Sequence, residues 1–338
     1  MTTSVFVSGA TGFIAQHVVK LLLSKGYNVV GSVRTAEKGK NLAKLFGTGS
    51  FTYEVVPKLE APGAFDEALE KHPEVSVFLH TASPVTFDVK DIEKELLLPA
   101  VEGTKNVFSA IKAHGPQIKN VVVTSSVAAA LDPARNLDPT FTVNEDSWNP
   151  ISWEDSKQNA MTGYFGSKKF AEKAAWDFVE AEKPNFLLNT VLPVYVFGPQ
   201  AFDSEVKGEL NYSAEIINKL LKLGPNDEVP SQLGGFVDVR DVAKAHLAAF
   251  EGGLSNQRLL LRTAAFNAQR VLDIINNKFV NLRGQLPTGT PCKGEPESTG
   301  SVTDNSRTKK LLNFPAIDLE NCVVDSVTQL MKSQKKVL

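Results

Sequence analysis

The fold is indicated near the N-terminus by the stretch Ser4-Val5-Phe6-Val7-Ser8-Gly9-Ala10-Thr11-Gly12-Phe13-Ile14-Ala15. Its short apolar run predicts a buried strand, and the apolar residues at three-to-four spacing that follow predict an amphipathic helix. Between them, Gly9 permits a tight turn, and Gly12 has no Cβ to keep the backbone away from a pyrophosphate. Ala15 is small enough for close helix packing, and the free N–H groups at the helix start would face phosphates. The stretch therefore predicts a dinucleotide-binding turn; the alternative is an ordinary strand–turn–helix, because a glycine pattern alone is a weak signal.

The same alternation of short apolar runs and amphipathic stretches continues through the first half of the chain. The runs are apolar on both faces, which is typical of strands buried between two layers of helices. The predicted strands cover residues 4–8, 28–33, 51–56, 76–80, 120–124 and 186–192. Strand–helix–strand alternation predicts parallel strands with right-handed crossovers. We therefore predict an α/β fold with a Rossmann-type doubly wound parallel sheet.

Composition excludes several classes of protein. The chain has 338 residues, 42% of them hydrophobic, so it can bury a full core without disulfide bonds or structural metal ions. Its 36 basic and 38 acidic residues leave a net charge of −2, with no basic excess for a nucleic-acid partner. Two cysteines, and histidines without metal-ligand spacing, predict neither a disulfide framework nor a metal site. The sequence shows no secretory signal and no apolar window of about 18 residues, so we expect a cytoplasmic protein without a membrane span.

The end of the second predicted strand bears on the choice of cofactor. Enzymes that bind NAD place an Asp or Glu there to hold the ribose hydroxyls. Here the segment reads Gly31-Ser32-Val33-Arg34-Thr35-Ala36-Glu37-Lys38, and the acid is missing. Arg34 can bind a 2′-phosphate with two hydrogen bonds, and Lys38 follows one helical turn later. We therefore expect NADPH/NADP+ as the cofactor; the alternative is that both cations are solvated surface residues.

Three further residues suggest acid–base chemistry. Ser126 follows the fifth predicted strand, and Tyr164 and Lys168 lie four residues apart on a predicted helix, where they share one face. An ammonium about 4 Å from a phenol favours the phenolate by about 4 kcal/mol at an effective dielectric of about 20, so we expect Lys168 to lower the pKa of Tyr164. Tyr164 would then exchange a proton with a carbonyl or alcohol oxygen, which Ser126 would also hold. Ser125 is a rival to Ser126, and the serine pair is also compatible with a simple turn.

After Pro193 the regular alternation gives way to proline and glycine breaks, which indicates a second, irregular lobe. We predict an NADP-binding Rossmann domain over residues 1–192, with residues 236–262 returning to it. Residues 193–235 and 263–338 would form a smaller, mostly helical substrate-binding lobe. Helices are predicted at residues 155–181, 213–223, 239–250 and 318–332, and an exposed loop at residues 286–300.

These motifs together resemble the extended short-chain dehydrogenase/reductases, and in particular their dihydroflavonol-reductase-like branch. The resemblance covers nearly the whole chain. Its motifs are Gly9-x-x-Gly12-x-x-Ala15, His80-Thr81-Ala82-Ser83-Pro84, Thr124-Ser125-Ser126 and Tyr164-x-x-x-Lys168. Residues 99–106 and 193–200 look like those of the yeast NADPH-dependent methylglyoxal and ketone reductases, and residues 236–243 are similar to the same branch.

The resemblance implies an oxidoreductase that transfers a hydride reversibly from NADPH to an aldehyde or ketone, as a stereoselective carbonyl reductase or alcohol dehydrogenase. It implies that Ser126 orients the carbonyl, Tyr164 is the acid/base, Lys168 binds ribose and Arg34 meets the 2′-phosphate. Many relatives carry Asp after the third strand to receive the adenine, where this chain has Lys58 and Leu59. The full expected cofactor set is Gly9, Thr11, Gly12, Phe13, Ile14, Arg34, Lys38, Lys58, Leu59, Thr81, Ala82, Ser83, Tyr164, Lys168, Pro193 and Val196.

The substrate is expected to lie beside Tyr164 among apolar side chains. The expected contacts are Val85, Phe87, Val127, Met161, Val194, Phe197, Ala214 and Val237, with Tyr212 as a further candidate. No arginine or lysine among them would meet a carboxylate, so an uncharged, partly hydrophobic carbonyl compound fits best. The alternative for each is that it only fills the interface between the lobes. The sequence leaves open whether the protein is a monomer or a homodimer.

Two other functions compete with a reductase. A nucleotide-sugar epimerase or dehydratase on the same fold would retain NAD and need groups for a nucleotide diphosphate, whereas Arg34 favours NADP. A non-catalytic NADP-sensing protein would not need Ser126, Tyr164 and Lys168 together.

Overall fold

The computed structural model describes residues 3–206, 208–292 and 300–333. Part of the loop predicted at residues 286–300 lies outside these ranges. The strands are β1 (Ser4–Ser8), β2 (Asn28–Val33), β3 (Phe51–Val55), β4 (Val75–His80), β5 (Asn120–Thr124), β6 (Thr142–Val143), β7 (Leu187–Pro193), β8 (Tyr195–Phe197), β9 (Leu233–Asp238), β10 (Gln257–Leu261), β11 (Ala264–Asn267) and β12 (Val302–Thr303). The helices are α1 (Phe13–Ser24), α2 (Ala36–Phe46), α3 (Asp66–Glu70), α4 (Leu98–His114), α5 (Trp153–Ser156), α6 (Ala160–Glu182), α7 (Tyr212–Leu220), α8 (Val239–Glu251), α9 (Ala268–Lys278), α10 (Ser306–Leu312) and α11 (Leu319–Ser333).

The main sheet, within the described residues, has seven parallel strands in the order β3-β2-β1-β4-β5-β7-β10. The chain moves outward from β1 to β3 and then crosses back to β4, so the direction of progress reverses between β1 and β4. Ligands of such sheets bind beyond the carboxyl ends of the strands at this reversal. The predicted doubly wound α/β fold is confirmed.

Both faces of the sheet are covered because its strands are apolar on both sides. In β1, Val5 and Val7 belong to one core cluster, which also holds residues of α1 and α8. The alternate residue Phe6 belongs to the opposite cluster and stacks on Phe78 of β4 at 4.8 Å between ring centroids. Burial of each such side chain stabilises the fold by roughly 1.5–3 kcal/mol.

The long helix predicted at residues 155–181 is interrupted, and the prediction is wrong at this point. The α5 helix ends at Ser156, and α6 starts after Asn159. The Asn159 side chain accepts from the Thr162 N–H at 3.0 Å, and the Thr162 hydroxyl accepts from the Asn159 N–H at 3.0 Å. This reciprocal capping box favours a new helix start over continuation. It places Tyr164 in the second turn of α6 and Lys168 in the third.

The region after Pro193 contains strands as well as helices. In the described part of the chain, β8, β9 and β11 form a small sheet, with β8 parallel and β11 antiparallel to β9. Side chains of α7, α9 and α11 pack with this sheet in a separate core cluster. The division into two lobes, with the boundaries given above, stays a prediction.

No helix among residues 3–206, 208–292 and 300–333 is long and apolar enough to cross a membrane. Within the same residues, no group of three or more His, Cys, Asp or Glu side chains could hold a metal ion.

Candidate active site

The glycine turn after β1 is tightly packed. Gly9 adopts a φ of +65°, a left-handed conformation that favours glycine. A Cβ at this position would lie 2.9 Å from the Cα atom of Ala82. The Gly9 N–H donates to the Ser32 hydroxyl at 3.0 Å, and the Ala10 N–H donates to the Ser32 carbonyl at 2.9 Å. These contacts hold the turn against β2 and the segment after β4.

The first turn of α1 is left open to an external acceptor. Gly12 occupies the N-cap position and supplies no capping side chain, and the first turn contains no acidic residue. Helix N-termini without a side-chain cap present N–H groups and a positive dipole end to anions. Gly12, Phe13 and Ile14 line a large cavity at this point.

The segment after β4 is anchored to the end of β1 by Ser8. The Ser8 hydroxyl accepts the N–H groups of Thr81 and Ala82, each at 3.0 Å, and lies 2.8 Å from Nδ1 of His80. Burial lowers the pKa of His80 to about 3, so this histidine is neutral and acts as a structural partner. The next residue, Ser83, lines the cavity, and its buried hydroxyl has no hydrogen-bond partner in the described residues.

The cavity has a volume of about 470 Å³ and lies beyond the carboxyl ends of the central strands. The structure brings most of the predicted site residues to its lining. These are Gly12, Phe13, Ile14, Arg34, Thr81, Ser83, Val85, Phe87, Ser126, Val127, Met161, Tyr164, Lys168, Pro193, Val194 and Val196.

Ser126, Tyr164 and Lys168 meet in this cavity. The Tyr164 hydroxyl donates to the Ser126 hydroxyl at 3.3 Å, and the latter also accepts from the Ala128 N–H at 3.2 Å. The rival Ser125 donates instead to a carboxylate oxygen of Glu172 at 2.6 Å. The geometry therefore joins Ser126 and not Ser125 to Tyr164.

The expected lowering of the Tyr164 pKa by Lys168 is wrong for this structure. The Lys168 Nζ atom lies over the phenol ring, 5.7 Å from its centroid. Burial raises the pKa of Tyr164 and outweighs the opposing effect of the hydrogen bond with Ser126, and nearby Tyr212 raises this pKa further. Burial also lowers the pKa of Lys168 to about 8. Tyr164 is therefore a neutral phenol at neutral pH, and Lys168 is mostly charged.

The two cations predicted for the 2′-phosphate lie at the start of α2. Arg34 is exposed, lines the cavity and makes no ion pair within the described part of the chain. Thr35 caps α2 by accepting the Lys38 N–H at 3.3 Å, and the Lys38 side chain is exposed outside the lining.

Several predicted cofactor residues do not line the cavity. Gly9 and Ala82 pack closely against each other, outside the lining of the cavity. The Leu59 carbonyl accepts from the Asn106 amide at 2.9 Å, which fixes the segment after β3. The predicted residues outside the lining are Gly9, Thr11, Lys38, Lys58, Leu59 and Ala82.

Aromatic rings line the cavity beside Tyr164. The Phe87 ring lies 5.7 Å from the Tyr164 ring and 4.8 Å from the Tyr212 ring, measured between centroids. Val85 and Met161 line the cavity while remaining 53% and 45% exposed, which places them at its mouth.

Three predicted substrate positions need correction. Phe197 is fully buried, with its centroid 4.6 Å from the Phe266 ring in the core of the small sheet. Ala214 lies on the buried face of α7, and Val237 belongs to the core cluster of α1 and α8. None of the three lines the cavity. Loop positions and tertiary packing decide which apolar residues face the cavity, and local periodicity does not report them.

Several residues that line this cavity were not predicted from the sequence. They are Leu131, Asn136, Phe165, Tyr195, Asn211 and Ser213. Tyr195 lies between Val194 and Val196, in the segment that resembles the related reductases. That resemblance could have marked Tyr195 as a lining residue. No local pattern marks Asn136, which reaches the cavity from the loop after β5.

The fold and the cavity define a Rossmann-fold protein with a dinucleotide-binding turn and a Ser–Tyr–Lys arrangement. The chain belongs to the NAD dependent epimerase/dehydratase family, whose model matches residues 5–260. The NADPH-dependent methylglyoxal reductase of Saccharomyces cerevisiae is 47% identical, over 99% of this chain and 100% of the relative. The family prediction is confirmed.

Solved structures agree with this assignment. The yeast methylglyoxal/isovaleraldehyde reductase Gre2 complexed with NADPH is 46% identical, with a TM-score of 0.96 over 99% of this chain and 100% of that chain. Gre2 of Candida albicans in complex with NADPH is 50% identical, with a TM-score of 0.95 over 98% of this chain and 99% of that chain.

Proposed function

We propose that this chain reduces aldehydes and ketones to alcohols with NADPH, acting on uncharged, partly hydrophobic carbonyl compounds. The observation that carries the proposal is the Tyr164–Ser126 hydroxyl pair in the same cavity as the uncapped α1 N-terminus. The similarity to NADPH-dependent reductases supports this function over an NAD-retaining epimerase and over a sensor. A cytoplasmic location, the absence of a nucleic-acid partner and the oligomeric state stay predictions from the sequence.

The residues present fit a phosphorylated dinucleotide. Gly9 leaves no room for a Cβ, the N-terminus of α1 has no cap, and the buried Ser83 hydroxyl has no partner in the described residues. Gly12 and the N–H groups of α1 would hold the pyrophosphate. Arg34, with Lys38 nearby, would hold the 2′-phosphate. Lys168 would hold the nicotinamide ribose.

When bound, NADPH would supply a hydride for the carbonyl carbon. In our proposal the Ser126 and Tyr164 hydroxyls donate hydrogen bonds to the carbonyl oxygen. Tyr164 then gives its proton to that oxygen, which completes the alcohol and leaves a phenolate. A raised pKa suits this direction, because the acid must be protonated before reaction. The charged Lys168 ammonium stabilises the phenolate after transfer.

The proposal is tested by mixing the purified chain with NADPH and a panel of neutral aldehydes and ketones, including methylglyoxal. We expect absorbance at the NADPH band to fall with some of these carbonyls, and chiral chromatography to show one enantiomer in excess. Binding of NADPH without turnover on any carbonyl would favour the sensor. Conversion of a nucleotide sugar without net loss of NADPH would favour the epimerase.

Replacement of Arg34 by alanine tests the 2′-phosphate contact. Loss of a charge-assisted hydrogen-bonding partner is expected to raise the KM for NADPH by about 10- to 100-fold. The KM for NADH should change little, because NADH has no 2′-phosphate. Steady-state kinetics with both cofactors measure the two constants. Lys40→Ala, which removes an exposed cation of α2, is the matched control. Equal effects of Arg34→Ala on NADPH and NADH would refute the contact.

A further inference from the structure

A second cavity of about 220 Å³ adjoins the candidate active site. The two cavities share part of their lining and are therefore adjacent, and a ligand extending from one to the other would pass along the shared residues. The shared residues are Val127, Leu131, Asn136, Val194 and Tyr195. Beyond them, the second cavity is bounded by β9, by β11 with the segment that precedes it, and by residues 300–303.

The second cavity contains one charged lining residue in the described part of the chain, Arg262. Its Nε atom is buried and has no hydrogen-bond partner, and no ion pair of Arg262 is present among the described residues. Burial lowers the pKa of its guanidinium, yet arginine stays charged in proteins. Arg262 is partly buried, so its charge loses part of its hydration without gaining an anion from the described residues in return.

The backbone at Arg262 is anchored, and a glycine makes room for its side chain. The buried Asn305 amide donates to the carbonyls of Leu260 and Arg262 at 3.1 and 2.9 Å. A Cβ at Gly235 would lie 3.1 Å from Cδ and Nε of Arg262, so the glycine leaves the space that this side chain uses. The backbone at Arg262 is therefore fixed by the fold, and its side chain occupies the space that Gly235 leaves open.

We propose that Arg262 binds the carboxylate of keto-acid substrates whose ketone lies at Tyr164, which extends the substrate range of the reductase proposed above and rests on it. The guanidinium fork matches a carboxylate and forms two parallel hydrogen bonds with it. Apolar residues of the shared wall, such as Val194 and Leu131, contact the methylene chain between the two groups. Polar side chains of Asn267, Ser301 and Thr303 also line the second cavity.

The test compares levulinate and its longer straight-chain homologues with the methyl ester of each acid. One chain length should place the ketone at Tyr164 and the carboxylate at Arg262, and there the wild-type protein should prefer the acid over its ester. Arg262→Met should raise the KM for that acid by about 10- to 100-fold, as expected for loss of a charge-assisted pair. The kcat/KM for the ester should stay within about twofold, because this neutral substrate does not use the charge.

Two further variants sharpen the result. Arg262→Lys keeps the charge without the fork and should restore part of the preference for the acid. Arg283→Met, which removes an exposed arginine bonded to the carbonyls of Asn276 and Asn277, should leave both substrates unaffected. The proposal is overturned if wild type never prefers an acid over its ester, or if Arg262→Met slows both substrates equally.

Calorimetry separates failure of this site from failure of the proposed reductase. The probe is the preferred keto acid, or levulinate if no carbonyl is reduced, titrated into protein with NADP+, which has no hydride to donate. Weaker binding to Arg262→Met than to wild type supports the anion site even without turnover. Equal binding to both proteins overturns the site, while reduction of the neutral esters leaves the proposed function standing.

Discussion

Replacement of Tyr164 by phenylalanine is expected to lower kcat for carbonyl reduction by about 10²- to 10⁴-fold, the usual contribution of a positioned general acid. The change removes one hydroxyl group, which in the structure donates to Ser126 at 3.3 Å. The ring can keep its contacts with Phe87 and with the Lys168 ammonium. A loss confined to kcat would therefore reflect proton transfer and not collapse of the cavity.

Two measurements distinguish this role from a structural one. Fluorescence titration should show nearly unchanged NADPH affinity in Tyr164→Phe, because the N-terminus of α1 and Arg34 are untouched. Tyr27→Phe serves as the matched control, because it removes a hydroxyl that donates to Glu251 and Tyr27 directly precedes β2, at the end of that strand away from the cavity. Its kcat should match wild type. Retention of more than about a tenth of the activity by Tyr164→Phe would contradict the assignment of Tyr164 as the acid/base.

The parts of the fold that follow from local patterns could be predicted from the sequence. The bounds of β1, β2 and β5 match the prediction because each is a short apolar run beside a polar or glycine break. The edge strand β10 was missed since its sequence begins with Gln257 and Arg258, which interrupt the apolar run. Arg258 is tolerated inside because Glu172, distant in sequence, neutralises it and the backbone carbonyls of Glu145 and Ser147 accept from it.

The candidate site likewise has parts that local patterns predict and parts that depend on the tertiary structure. Ser126, Tyr164 and Lys168 follow from spacing on one strand end and one helix, and the structure brings them together. The balance between burial and the Lys168 charge depends on tertiary distances, so the direction of the Tyr164 pKa was predicted wrongly. Arg262 lies in no motif, and only the adjoining cavity shows that its charge has no partner in the described residues.

Behind the site, a buried carboxylate joins four elements of the fold. Glu172 of α6 accepts from Arg258 of β10 at 2.7 Å, from Ser125 at the end of β5 at 2.6 Å and from Thr190 of β7 at 2.9 Å. The indole N–H of Trp176 donates to the same carboxylate at 3.2 Å. Glu172 is 1% and Arg258 8% exposed, so water cannot replace either partner.

Glu172→Met is therefore expected to lower the free energy of unfolding by about 3–5 kcal/mol, because it leaves the Arg258 charge buried without an anion. Urea unfolding of the cofactor-free protein measures the loss. The matched control is Asp177→Asn on the same helix, which breaks an exposed pair with Lys173 and should cost less than about 1 kcal/mol. Replacing Glu172 and Arg258 together by methionine should cost less than Glu172→Met alone, since no unpaired charge remains. If the double variant loses the sum of the two single losses, the pair does not act as a unit. The carboxylate would then stabilise the site mainly through Ser125 and Thr190.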